Sequence, residues 1–356
     1  MFVFQKKIFF ILIICFFGLV NLKAQKDSKV HEIPLFQSNE ILNLYLEADF
    51  ETVFSFKDDS TKFPAIISLN DHSGSPIKLN IKIRTRGKTR RECDVCRFPP
   101  LRLKFSKKKT KNTVFDGQKG LKLVTHCRNR DLYEQNTIIE YLIYRAFNIL
   151  TDSSLRVRPA LINYVYADSN RDSIQKFAFF IEHDKKLASR LGGIEIEDEK
   201  THPDRFHSFH TCMMDMFQYM IGNTDYSAYE LHNIKLIRDE TRRLPPLAIP
   251  YDFDWSGLIS AHYAVPNSRL NTDKVTERVY RGFKKRPEIV YYCIDKFNLK
   301  KNEIYQLFND FELLSTKERK HVIKYLDEFY QIINNKRMVH NEFVNGARTV
   351  KAYARR

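Results

Sequence analysis

The sequence predicts an α+β protein on a two-lobed plan, with a β-rich first half and a mainly helical second half. Three observations carry this. Apolar and polar residues alternate strictly over 77–84 and again over 101–105. One long amphipathic helix, 131–150, separates the early strands from two later ones. In the second half the apolar spacing turns helical, as in Phe206, Phe209, Met213, Met216, Phe217 and Met220.

In chain order, residues 1–24 read as a signal peptide. Lys6 and Lys7 precede an apolar run from Ile8 to Val20, and Leu22-Lys23-Ala24 resembles a cleavage site. An exported protein is therefore expected, in the periplasm, on the outer surface or secreted. No later stretch is long enough to span a membrane. Residues 25–40 are a polar, flexible lead-in. The β-rich lobe, 41–183, opens with alternation at Leu44, Leu46, Ala48 and Phe50. The strands at 77–84 and 101–105 form a hairpin with a long basic connection. A short strand over 120–125 precedes the 131–150 helix, whose apolar side carries Leu132, Ile138, Ile139, Leu142, Ala146 and Ile149. Strands over 160–166 and 177–181 close the lobe. The helical lobe, 184–356, contains a helix over 206–221 that stops at Gly222, and a capping box at 315–318 that opens a helix to Ile333.

The chain carries 59 Lys and Arg against 43 Asp and Glu, a formal charge of +16. Loss of Lys6, Lys7 and Lys23 leaves +13, of which residues 82–111 hold +11. This concentration excludes a uniformly basic nucleic-acid coat, and no reading helix or RNP-like strand supports nucleic-acid binding. Two readings remain, a solvated basic edge strand or a surface for a phosphate-rich or otherwise anionic partner. Five cysteines follow residue 24. A lone C-x-x-C at 93–96 lacks the second pair of a zinc site. An oxidising compartment favours a disulfide, with Cys96 and Cys127 the candidate pair, while Cys212 and Cys293 read equally well as buried thiols. His202, His207 and His210 lack zinc-protease spacing, and no G-x-S-x-G elbow occurs.

Three acidic or amide clusters carry the chemistry. Asn223-Thr224-Asp225 follows the 206–221 helix, His232-Asn233 comes next, and Asp252-Phe253-Asp254 closes the series after a short strand. A loop Asp, an Asn and a second Asp suit phosphoryl transfer, where one carboxylate handles the acceptor hydroxyl and the other two groups hold a divalent cation on nucleotide phosphates.

The run Met220-Ile221-Gly222-Asn223-Thr224-Asp225, then His232-Asn233, then Pro250-Tyr251-Asp252, resembles the catalytic stretch of HipA-type and spore-coat CotH-type atypical kinases. Ile83-Arg84-Thr85-Arg86-Gly87, Pro100-Leu101-Arg102-Leu103-Lys104-Phe105, Leu121-Lys122-Leu123 and Phe179-Phe180-Ile181-Glu182 resemble the CotH pattern. The resemblance implies a two-lobed protein-kinase-like fold and an exported kinase using ATP with Mg²⁺ or Mn²⁺. It makes Asp225 the catalytic Asp and Asn233 and Asp252 metal ligands, with Asp254 assisting. Lys122 becomes the strand lysine on the nucleotide phosphates, paired with Glu140 or, second, Glu134. Arg84, Arg86 and Lys88 become the phosphate-covering turn around Gly87, and Glu182 the hinge carboxylate near the adenine. The acceptor is open among protein, sugar and lipid. Three departures support an alternative. Asn233 follows Asp225 by eight positions rather than about five. Tyr226 stands where those kinases tend to have Arg, and the turn has a single glycine. The alternative is an inactive kinase-like scaffold whose 82–111 hairpin binds an acidic envelope polymer or anionic lipid.

Overall fold

The structure, a computed structural model, describes residues 34–349 apart from 57, 59, 72, 168–170 and 198–200. The expected signal peptide, the 25–33 part of the lead-in and residues 350–356 lie outside the described residues.

The chain runs β1 (Leu42–Ala48), α1 (Phe50–Ser55), β2 (Phe63–Asn70), β3 (Pro76–Thr85), β4 (Leu101–Lys104), β5 (Gly120–Val124), α2 (Asp131–Leu150), β6 (Val157–Tyr166) and β7 (Ile174–Ile181). It continues through α3 (Asp184–Arg190), β8 (Gly193–Ile196), α4 (Ser208–Met220), β9 (Ile234–Asp239), β10 (Leu247–Pro250), α5 (Pro287–Asn309), α6 (Thr316–Ile333) and α7 (Lys336–Val339).

Seven of the strands close into a barrel in the order β1-β2-β3-β4-β5-β7-β6. Closure comes from β6 lying parallel to β1, with Leu42 opposite Ala160 and Ala48 opposite Tyr166. The remaining barrel pairs are antiparallel. Alternation does the rest: Leu44, Leu46, Ile67, Ile83, Leu101, Leu103, Leu121, Leu123, Ile162 and Phe180 fill the barrel and are all at most 1% exposed.

This closed barrel overturns the two-lobed, protein-kinase-like α+β plan. The molecule is a mixed seven-stranded barrel with a three-stranded sheet, β10-β9-β8, and seven α-helices among the described residues. The alternating segments were legible one by one, but their closure rests on pairing between residues as distant as Leu42 and Ala160, which local periodicity does not encode. The helices moreover form no separate lobe. Phe177, Phe179 and Ile181 of β7 share one continuous core with α2, α4, α5 and α6. In α2, Ile138, Ile139, Leu142 and Ala146 are buried as their spacing predicts, whereas Leu132 in the first turn is exposed. Ser315 caps α6 by accepting from the Glu318 amide at 3.3 Å. Among the described residues no helix is long and apolar enough to cross a membrane.

The connection from β3 to β4 makes an excursion over 86–100 that is pinned at its far end. Cys96 and Cys127 are joined in a disulfide. The Phe98 amide donates to the Cys127 carbonyl at 2.8 Å and Arg128 Nε to the Val95 carbonyl at 3.0 Å. Cys93 is a free, exposed thiol, and Cys212 and Cys293 are free and buried. Closing 31 residues of chain separation stabilises the fold by about 3–4 kcal/mol on chain-entropy grounds. Cys96→Ser/Cys127→Ser should therefore lose about 3 kcal/mol in urea unfolding, and a loss below about 0.5 kcal/mol would remove the bridge from the account.

Candidate functional site

Two loops are clipped together at the end of α4. The helix ends at Gly222, whose φ of +64° ends the helical turn. An added Cβ there would collide with the Tyr325 hydroxyl. The Gly257 amide donates to the Gly222 carbonyl and the Leu258 amide to the Ile221 carbonyl, both at 3.0 Å. The 223–225 turn and the 252–258 loop are thereby held side by side.

Asp225 is built from its neighbours. Buried Asn223 accepts the Asp225 amide on Oδ1 at 3.0 Å and donates from Nδ2 to Gln218 Oε1 at 3.0 Å. Asn233 Nδ2 donates to the Asp225 carbonyl at 2.7 Å and to Oδ2 at 3.0 Å. The other carboxylate oxygen lies 2.8 Å from His232 Nε2. That bond raises the His232 pKa, against the opposing effect of partial burial. Behind the turn, Arg281 donates to the Thr224 carbonyl and lies 5.4 Å from the centroid of the Tyr226 ring. The Tyr226 hydroxyl donates to buried Asp215 at 2.9 Å. A cavity of about 190 Å³ opens beside Asp225, walled by Thr224, Trp255, Asn267, Ser268 and Thr272 among others.

The Tyr251 amide donates to the Asn233 carbonyl at 3.0 Å, which brings the third cluster alongside. Asp252 adopts φ +62° and its amide donates to Tyr144 Oη of α2 at 2.9 Å. Asn233 is likewise left-handed, at φ +52°.

Beside Asp252 lies an acidic cluster around one cation. Arg90, in a short 3₁₀ turn over Thr89–Arg91, is buried against Glu140 of α2 at 3.4 Å and against Asp252 and Asp254 at 3.2 Å each. Three carboxylates on one guanidinium leave excess negative charge in a buried place. Burial pushes both Glu140 and Asp254 well above the ordinary carboxylate range, with Arg90 pulling the other way. Glu140 Oε1 is buried with no hydrogen-bond partner among the described residues. Asp254 also accepts the Tyr263 hydroxyl at 2.8 Å.

Lys122 belongs to a third group. Its Nζ meets Asp184, at the start of α3, at 2.9 and 3.1 Å. Asp184 also meets Lys235 at 3.3 Å, and Lys235 meets Glu195 at 2.8 Å. The centroid of the Tyr251 ring lies 5.4 Å from the Lys122 ammonium and 5.7 Å from that of Lys235. Burial lowers the Lys122 pKa, with Asp184 opposing. Burial would raise Asp184, but the two lysines outweigh it and hold it below the ordinary range.

Lys122, Asp225, Asn233 and Asp252 are thus linked through Tyr251 and its neighbours. The pairing implied for Lys122 is corrected. Glu140 belongs to Arg90, and Glu134 accepts from Lys176 Nζ and the Phe177 amide at 2.9 and 2.7 Å. Asp254 is held by Arg90 and Tyr263. Glu182 accepts from Arg190 and from the Arg156 amide, bracing α3 against the start of β6. Arg86 is electrostatically coupled to Lys122, Glu140 and Tyr251. Arg84 lies opposite Arg102 on the barrel surface, and Lys88 is exposed just before the 3₁₀ turn. Four site residues carry no distinguishing signal in the sequence: Arg90, Asp184, Lys235 and Arg281. Arg90 is one base among thirteen in its stretch.

A divalent cation fits the donor chemistry here. Asn233 gives its amide hydrogens to Asp225, which leaves Oδ1 as its acceptor, and Asp252 meets Arg90 through Oδ1 only. Two oxygen donors are the usual protein share for a cation carried on nucleotide phosphates. No group of three or more His, Cys, Asp or Glu side chains among the described residues is arranged to hold a metal. The chain matches no protein-family model and no curated protein.

Removing the central cation tests the cluster. Arg90→Met should cost about 3–5 kcal/mol near pH 8, because buried Glu140 and Asp254, and half-buried Asp252, lose their partner. Glu140 and Asp254 have folded pKa values above their unfolded ones. Each therefore favours folding below the ordinary carboxylate pKa and loses that contribution as pH rises through its folded value, about 6 for Asp254 and about 8 for Glu140. Without Arg90 the shift grows, so the penalty should shrink as pH falls toward 5. Denaturation midpoints across this range check it, and a penalty independent of pH would refute the charge argument.

Proposed function

We propose that the protein is an exported phosphotransferase that moves the γ-phosphate of ATP to a hydroxyl acceptor, assisted by Mg²⁺ or Mn²⁺. The observation that carries this reading is the convergence of Lys122, Asp225, Asn233 and Asp252, drawn from four separate stretches of chain, on the surroundings of Tyr251. The resemblance of the Asn-x-Asp…Asn…Asp run to atypical kinases points to the same chemistry. The Cys96–Cys127 disulfide supports export, since such bonds persist in oxidising compartments.

In this reading Asp225 receives the acceptor hydroxyl, which enters by the adjoining cavity. Its two oxygens are already engaged by His232 and Asn233, so it orients the hydroxyl with its remaining lone pairs. A loose phosphoryl-transfer transition state asks mainly for positioning and charge compensation. Asn233 Oδ1 and Asp252 would hold the cation, which when bound neutralises charge on the phosphates. Lys122 and Arg86 supply the cationic contacts on the barrel side. Asp184 opposes the burial that lowers the Lys122 pKa.

Purified protein should bind ATP only with a divalent cation present. Asp252→Ala should abolish that binding, while Asp225→Ala should retain it and lose transfer by about a thousandfold or more. Thermal shift and calorimetry read the binding, and labelled phosphate transfer reads the turnover. Wild-type protein indifferent to ATP and Mg²⁺ together would end the proposal.

A further inference from the structure

A second cationic feature lies on the outer face of the barrel. A groove of about 650 Å³ is lined by nine Lys and Arg side chains and His183, with no Asp or Glu among its described lining residues. Six of the bases matter most. Lys82 and Arg84 come from β3, Arg102 and Lys104 from β4, and Lys185 and Lys186 from the first turns of α3.

The β-ladder makes the arrangement costly. Lys82 lies directly opposite Lys104, and Arg84 directly opposite Arg102. Like charges facing each other across a strand pair destabilise it. Burial and the neighbouring Arg84 both pull the Arg102 pKa down. Protection of a free sheet edge does not explain such a grid, because β3 is paired on both sides by β2 and β4, β4 by β3 and β5, and the barrel is closed. Nor is this simply the basic stretch of residues 82–111 acting as one patch. Arg90 is buried against carboxylates, whereas Lys62, Lys119, Lys185 and Lys186 join the groove from elsewhere.

We propose that this groove binds a soluble linear polyanion carrying closely spaced phosphate groups. Cations repeat about 5 Å apart across the strands and about 7 Å apart along them, a pitch that an extended phosphate chain can follow. Nine cations share 650 Å³, a density suited to a chain with a charge on every closely spaced phosphate unit rather than to a polymer whose carboxylates are a whole residue apart. The Arg102 guanidinium adds a forked donor that matches phosphate oxygens. The inference stands apart from the phosphotransferase reading, since it needs neither Asp225 nor a bound cation.

The probe is inorganic polyphosphate of a few tens of units, measured by calorimetry at several salt concentrations. The groove variant is Lys82→Gln/Lys104→Gln/Lys185→Gln/Lys186→Gln, four exposed positions whose change leaves the core untouched. The control removes the same charge from the helical side, with Lys317→Gln/Lys320→Gln/Lys324→Gln/Lys336→Gln, all exposed. We expect wild-type affinity to fall steeply with salt. The groove variant should lose about tenfold or more in affinity and show a shallower salt slope, and the control should change less than about twofold. ATP binding should be equal in the wild type and the groove variant. Equal losses in both variants would reduce the groove to diffuse charge. Polyglutamate of matched charge binding as tightly would overturn the phosphate assignment. Binding to vesicles rich in phosphatidylglycerol but not to polyphosphate would move the partner to a membrane surface.

Discussion

The contact on which the site depends is the buried guanidinium of Arg90. It gathers Glu140 from α2 with Asp252 and Asp254 from the loop after β10, and so ties the β3–β4 excursion to the helical layer. In energy alone such a cluster gains little, since a buried ion group seldom outperforms well-packed apolar side chains. Its effect is on geometry. With one member missing, the others are stranded in a dry environment, so alternative positions of the excursion are strongly disfavoured. The disulfide at Cys96 and the Arg128 contacts hold the same segment from its other end.

Two left-handed backbone positions fall in the same neighbourhood. Asn233 and Asp252 both adopt left-handed backbone without being glycine, and such positions cost on the order of 1–3 kcal/mol each. Each is locked by its surroundings, Asn233 through its paired bonds to Asp225 and Asp252 through the Tyr144 hydroxyl. Backbone that would relax if left alone thus fixes the direction of both side chains.

The readability of these features differed for physical reasons. The β3–β4 hairpin, α2 and the capped start of α6 were legible because period two, period 3.6 and a capping box are local signals. Asp225, Asn233 and Asp252 were legible because their short polar clusters interrupt apolar elements. Barrel closure was not, since the parallel β1–β6 ladder joins strands with most of the barrel between them in sequence. Arg90 was hidden by its basic neighbours. Glu140 was expected from the resemblance to pair with Lys122 on its strand, but its partner Arg90 sits on an irregular excursion. Asp184 resembled an ordinary helix start, and its bond to Lys122 depends on how β7 turns into α3.

The parallel ladder between β1 and β6 also sets the order in which the molecule can be built. The first strand gains its second neighbour only when the chain has passed residue 157, so barrel closure must wait for nearly half the polypeptide. Loop-closure entropy is spent before that contact returns anything, and folds of this kind mature slowly. Until then β1 and β6 each present an unpaired backbone edge. The interval before closure is therefore the period in which the chain is most exposed to self-association.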